Sequence, residues 1–342
     1  MSTVTRRTIP ALIVAGLMAL TMTGCVAGEN STNNGAPVEG SEWSTSTLSI
    51  DWATYNPLSL VVKDQGLIEE VLGDDVEVEW LQSAGSNKAN EMLRSGTIDV
   101  GSTAGSAALF ARANGSPIKV IDIYSQPEWS ALVVPADSDI TEVSQLAGSS
   151  IAATKATDPY FFLLQALAEA GLSEDDVGIQ NVQHADGLAL LNGGSVQAWS
   201  GLDPIMAGAE VNSGAKLIYR NVDFNTYGFL NATEDFINNH GDVAQVVVDA
   251  YEKARVWAIE NPEELAQLFA DAASIDLEAA KTVINERSNL DVSGVPGQDQ
   301  VTVLETIAPI IADSGDVAGG RKAIDEAIAT IIHNEFALKA TR

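Results

Sequence analysis

The chain has 342 residues, 46% of them hydrophobic and 19% charged, the profile of a globular chain long enough to bury one large core or two ordinary ones. Its 47 acidic against 18 basic residues leave a net charge of −29, which argues against nucleic acid as a partner because phosphate neutralisation needs a basic face. The same charge repels anions at long range, so an anion can be held here only by short-range groups.

The first segment reads as a targeting signal: Arg6-Arg7 form a basic start, Ala11–Leu20 an apolar stretch of signal-peptide length, and Thr21-Met22-Thr23-Gly24 lead into Cys25, the single cysteine. Pro10 interrupts the apolar pair that a twin-arginine signal would carry, which favours general secretion. With one cysteine no intramolecular disulfide can form, and stability must come from core burial. Residues 25–46, polar and rich in Gly, Ser and Asn, read as a flexible tether.

Order is expected from Thr47. A strand over 48–52 is followed by the turn Ala53–Asn56 and a helix opened by Pro57; a strand over 76–81 leads to the polar turn 82–87 and a helix over 88–94. Ile98–Val100 then reads as a strand, Gly101–Ser106 as a tight polar turn and Ala107–Ala113 as the start of a helix. Such a turn presents backbone N–H groups and hydroxyls at the positive end of a helix dipole, which suits an anion. After a strand at 118–124 the chain is expected to cross into a second lobe. That lobe holds strands at 130–134, 150–153, 177–182 and 198–199, with Asp158 as N-cap of a helix that Pro159 opens. A strand at 217–219 leads back through 220–227. Beyond Ala232 the pattern is helical, over 243–259, 263–272, 277–287, 300–311 and 321–332, and these helices are expected to pack on the first lobe and brace the hinge. Strands alternating with helices imply mostly parallel sheets whose strand-to-helix turns share one edge, where ligands bind.

No HExxH, Walker A, nucleophile elbow or paired metal-ligand spacing occurs, so the sequence supports neither a metal nor another cofactor. His184 follows a predicted strand and can reach the cleft, although a lone histidine is more commonly a cap or a surface residue.

Cys25 and the residues before it resemble the lipobox of a bacterial lipoprotein, with Met22 where Leu is usual. Together with the strand-turn-helix near Asp51, the segments SGTIDVGSTAGSAAL, IAATKATDPYFFLLQALAEAGL and AWSGLDPIMAGAE resemble the substrate-binding proteins of ABC importers that take up aliphatic sulfonates, taurine and nitrate. The resemblance implies an α/β, two-lobed periplasmic-binding-protein-like fold with a C-terminal helical extension. Its lobes are expected at 47–127 and 226–342 for the first and 128–225 for the second, behind a signal peptide at 1–24. It implies a monomer, lipid-anchored through Cys25 to the outer side of the cell membrane. Such a protein captures a small organic anion, a sulfonate or sulfate ester above all, for a permease and its ATPase. Tyr55 and Asn56 are expected at the ligand from the first turn, and Ser102, Thr103 and Gly105 as donors to an oxyanion. From the second lobe Thr154, Thr157 and Tyr160 are expected to close over the same group, with Trp129 and Trp199 as apolar walls and Lys155 or Arg220 as a basic partner. The competing readings are a pyrimidine synthase on the same fold, a binding protein for nitrate, taurine or a thiamine precursor, and a lipoprotein that senses its ligand without importing it.

Overall fold

The computed structural model describes residues 42–340; the signal segment, Cys25 and most of the tether lie outside the described residues. Thr47–Trp52 forms β1, whose alternate apolar side chains Leu48 and Ile50 are fully buried. Asn56 then caps α1 (Pro57–Asp64): its side-chain oxygen accepts from the Ser59 N–H, and Pro57 supplies the preset φ of a first helical residue. The first half continues through α2 (Glu69–Leu72), β2 (Glu77–Gln82), α3 (Ser86–Ser95), β3 (Val100–Ala104), α4 (Gly105–Ala113) and β4 (Ile118–Ser125). The second sheet takes β5 (Ser130–Val134), β6 (Ser150–Ala153), α5 (Asp158–Glu169), β7 (Gly178–Asn181), α6 (His184–Asn192), β8 (Ala198–Leu202), α7 (Ile205–Ser213) and β9 (Lys216–Tyr219). The chain returns as β10 (Gly228–Thr233) and closes with α8 (Glu234–Asn239), α9 (Gly241–Glu260), α10 (Pro262–Ala273), α11 (Leu277–Thr282), α12 (Gln298–Asp313), α13 (Gly320–Ile331) and α14 (Glu335–Lys339).

Two five-stranded sheets result, in the orders β2-β1-β3-β10-β4 and β7-β6-β8-β5-β9. Each holds four strands in one direction and one, β10 or β5, against them. The expected α/β architecture with mostly parallel sheets is therefore what forms. One core packs β1 and α1 against α9 and α10, through Leu48, Val61, Val247 and Phe269. Another runs between the sheets through Val120, Leu132, Phe161 and Ile307, and a smaller one, around Trp199 and Met206, backs the second sheet. Of the helices after β10, α9 and α10 pack on α1, whereas α11 meets α7 and α12 meets both α4 and α5. The helical tail thus touches elements of both sheets rather than the first alone.

Three local readings are corrected. Residues 101–104 are strand, not turn: β10 pairs antiparallel with β3, setting Leu230 opposite Ser102 and Phe229 opposite Thr103, so the ladder takes up this backbone. Asp158 is not the cap of α5; Thr157 holds that position, and the Asp158 carboxylate turns to partners far away in sequence. His184 opens a helix, α6, that the sequence reading left out.

Candidate functional site

The ends of β1, β2, β7 and β8 converge on a cleft of about 470 Å³. Trp52, Thr54, Tyr55, Gln82 and Ala84 line it from the first sheet, and Gln183, His184, Ala185, Leu202 and Asp203 from the second. A short stretch at the end of α10, Ala272–Ser274, closes one side. The volume lies within the range of small-molecule sites.

Two helix N-termini meet beside this cleft. Helix α3 starts after Gly85 and α6 after Gln183, and neither start carries a side-chain cap; Gln183, His184 and Ala185 at the start of α6 line the cleft, and Ala84 lies just before α3. The two starts are in contact. Gly85 has φ +143°, a conformation that side chains rarely adopt, and a Cβ there would lie 3.1 Å from the His184 ring. Only glycine lets the two helix starts approach so closely. His184 is 2% exposed, and burial lowers its imidazole pKa to about 4.

The chain's own buried carboxylates take the Ser102 and Ser106 hydroxyls. Asp51 accepts from the Ser102 N–H and hydroxyl, both at 2.9 Å, and from the Ser83 hydroxyl at 2.6 Å. Burial raises its pKa to about 6 against the lowering effect of these bonds. Asp158 accepts from the Ser106 hydroxyl, from Trp129 Nε1 at 2.8 Å, and from the Thr226 N–H and hydroxyl, each at 2.8 Å. Its pKa too is raised by burial, with those four bonds opposing the rise. Asp158 thereby ties α5 of the second sheet layer to the start of α4.

Of the residues singled out from the sequence, Tyr55 lines the cleft, its hydroxyl donating to the Ser102 carbonyl at 2.9 Å. Asn56 donates to the Ser102 hydroxyl at 2.8 Å, and the Thr103 hydroxyl accepts from Asn231 at 2.8 Å. The Gly105 N–H donates to the Tyr227 carbonyl at 2.9 Å. Trp129 packs edge-on against Tyr55 while its N–H serves Asp158. The Thr154 hydroxyl donates to the Val182 carbonyl at 2.7 Å, and the Thr157 hydroxyl to the Thr154 carbonyl at 2.6 Å. Tyr160 donates to Glu174, and Trp199 is fully buried in the core behind the second sheet. Arg220 makes a two-point ion pair with Glu128, at 2.7 and 3.1 Å, and Lys155 lies near Glu174 and Asp316, so both expected cations already have acidic neighbours.

The sequence reading passed over Gly85, Gln183 and Asp203. The signal for Gln183 was present, since a strand ending near Val182 and followed by Ala185–Leu191 repeats the strand-turn-helix pattern found elsewhere. Asp203 pairs with Arg287 of the segment after α11 at 3.2 Å, and Arg287 also reaches Glu210 at 2.8 Å. Burial raises the Asp203 pKa to about 6 although Arg287 pulls it down. No group of residues able to hold a metal occurs among the described residues, and no helix there is long and apolar enough to cross a membrane.

Comparison with known proteins agrees with this architecture. The chain is 26% identical over 335 residues to a Bacillus subtilis (strain 168) protein named as aliphatic sulfonates-binding, covering 96% of each chain. A protein of the same name from Escherichia coli (strain K12) is 25% identical over 283 residues, 82% of this chain and 84% of the relative. The solved structure of the alkanesulfonate-binding protein SsuA from Xanthomonas axonopodis pv. citri bound to MOPS superposes with a TM-score of 0.74 at 20% identity, covering 84% of this chain and 98% of that one. This likeness shows the periplasmic-binding-protein fold. The family model described as NMT1/THI5 like matches residues 73–265, more than half of the chain, which therefore belongs to the NMT1/THI5-like family.

Proposed function

We propose that this protein is an extracytoplasmic solute-binding protein that captures a small organic anion, a sulfonate or sulfate ester, and delivers it to an ABC importer. The observation that carries the reading is a cleft of small-molecule size between the strand ends of the two sheets, lined by the uncapped start of α6, in a chain related over 96% of its length to a sulfonates-binding protein. Backbone N–H groups can hold an anion at short range where a net charge of −29 offers no long-range attraction. In this reading the ligand is bound and released unchanged, Cys25 carries the lipid anchor, and the protein works as a monomer. The crossovers near 126–129 and 220–227 act as the hinge on which the two lobes close. The groups that touch the ligand come from the cleft lining, with Tyr55 retained from the sequence reading.

A thermal-shift screen tests the ligand class, because a ligand that binds only the native state raises Tm. Alkanesulfonates and sulfate esters are expected to raise it, and mass spectrometry after incubation should recover them intact. A chain stabilised by nitrate or by a thiamine-type pyrimidine but by no sulfonate would overturn the assignment, and a chemically altered ligand would overturn the binding-only role.

A further inference from the structure

The wall of the cleft carries one charge of its own, and for an anion it has the wrong sign. Among the described residues that line the cleft, three can ionise: Tyr55, His184 and Asp203. Burial holds the Tyr55 phenol well above its ordinary value and the His184 imidazole down at about 4, so both are neutral at pH 8.5. Asp203, at about 6, is ionised there. A charge in a buried wall acts on a ligand through the protein, without touching it and with little screening by salt.

Arg287 meets this carboxylate. Its Nη1 lies 3.2 Å from Asp203 Oδ2 and its Nη2 2.8 Å from Glu210 Oε2; Arg287 and Asp203 are buried, and Glu210 is partly exposed. The arginine is fixed from its own side of the fold, because Val283 and Ile284 before it pack in the core with β1 and α9, and its carbonyl accepts the Glu128 N–H at 2.8 Å. Asp203 is fixed as well, since its Oδ1 accepts the Ala207 N–H at 2.9 Å in the first turn of α7. Glu210, further along α7, draws on the same cation, so two carboxylates share one guanidinium.

We infer that Arg287 is a positioning residue for the bound anion: without touching the ligand it offsets the Asp203 charge at the cleft wall, and Glu210 limits how completely it does so. The inference rests on the organic-anion reading of the cleft and deepens it. A cleft of about 470 Å³ is roughly 8 Å across, the cube root of that volume, so an anion inside it lies within about that distance of the wall. One unit charge at such a distance, in surroundings of effective dielectric constant about 20, changes affinity roughly 5- to 30-fold.

Calorimetric titration of the full chain with propanesulfonate at pH 8.5 tests this. Asp203→Asn keeps an acceptor for the Ala207 N–H and removes the charge, and it is expected to bind roughly 5- to 30-fold more tightly than wild type. Glu210→Gln, which frees Arg287 for Asp203, should tighten binding by about two- to fivefold. Arg287→Met should weaken it roughly 5- to 30-fold, and the double variant Arg287→Met with Asp203→Asn, which removes both charges, should return it to within about threefold of wild type. An ion pair with a structural role alone would loosen binding in every variant, whichever sign of charge is lost. If wild type binds propanesulfonate but Asp203→Asn binds it no more tightly, or a folded Arg287→Met binds it as well as wild type, the inference falls and the anion reading stands. If wild type binds no sulfonate, both fall. Should Arg287→Met not fold, Asp203→Asn and Glu210→Gln decide the question.

Discussion

The Ser102–Ser106 segment and the Gly85–His184 contact are built from the same parts, a strand end followed by the start of a helix, yet they leave opposite polar balances. At Ser102 and Ser106 the hydroxyl donors end on Asp51 and Asp158, and at Gly105 the N–H ends on a carbonyl. At Gly85–His184 two helix starts lack caps, and two buried polar atoms, His184 Nε2 and the Gln183 side-chain oxygen, lack partners. The hydroxyl donors of the first arrangement are satisfied within the chain, whereas the second leaves polar groups without a partner. A strand-turn-helix with hydroxyls therefore does not by itself identify a binding site.

The largest effect that would break this comparison is expected from Asp158→Ala. It removes the acceptor of four hydrogen bonds and leaves buried donors on Ser106, Trp129 and Thr226 unpaired, which should cost about 3 kcal/mol or more in urea unfolding. Because the vacated donors form an anion pocket, added formate should restore part of the loss. A variant as stable as wild type would show that this carboxylate is not structural.

A smaller effect is expected from Ser102→Ala. Its hydroxyl sits between Asp51 and Asn56, so stability should fall by roughly 1–3 kcal/mol while ligand affinity changes less than about threefold. A large loss of affinity with little loss of stability would return the anion site to Ser102 and erase the contrast between the two regions.

The smallest effect is a pH dependence. Burial raises Asp51, Asp99 and Asp203 to about 6, so the native state binds protons there that an unfolded chain, with ordinary carboxyl pKa values near 3.8, does not. Stability from these three groups is full below the ordinary value and is lost as pH rises through 6. His184 acts in the opposite sense: its native pKa of about 4 lies below the ordinary 6.5, so its contribution is present above 6.5 and is lost as pH falls toward 4. Three groups outweigh one, and Tm should rise by a few degrees from pH 7.5 to pH 5, more steeply in His184→Phe. A Tm that falls steadily over that range would contradict the burial of these carboxyls.

Local chemistry made much of the fold legible. Pro57 announced a helix start, alternating apolar residues marked β1, short apolar runs marked β4 and β5, and the spacing of apolar residues after 241 marked the long helices. Strand β10 escaped because Asn231, buried in its middle, breaks a run too short to stand out. Without β10 the segment 101–104 looked like a turn, since the partner that makes it a strand lies more than 120 residues further along. The site depended still more on distance in the chain. The sequence by itself determined which residues can donate and accept: Ser102, Thr103, Ser106, Thr154, Thr157 and His184 were all visible. Only the tertiary structure decided which of them are already satisfied, because the partners of Ser106 and Thr226 at Asp158 lie 52 and 68 residues away, and Gly85 meets His184 only when the two sheets come together. Hydrogen-bond satisfaction is a property of the packed chain, whereas helix capping and strand alternation belong to a few neighbouring residues.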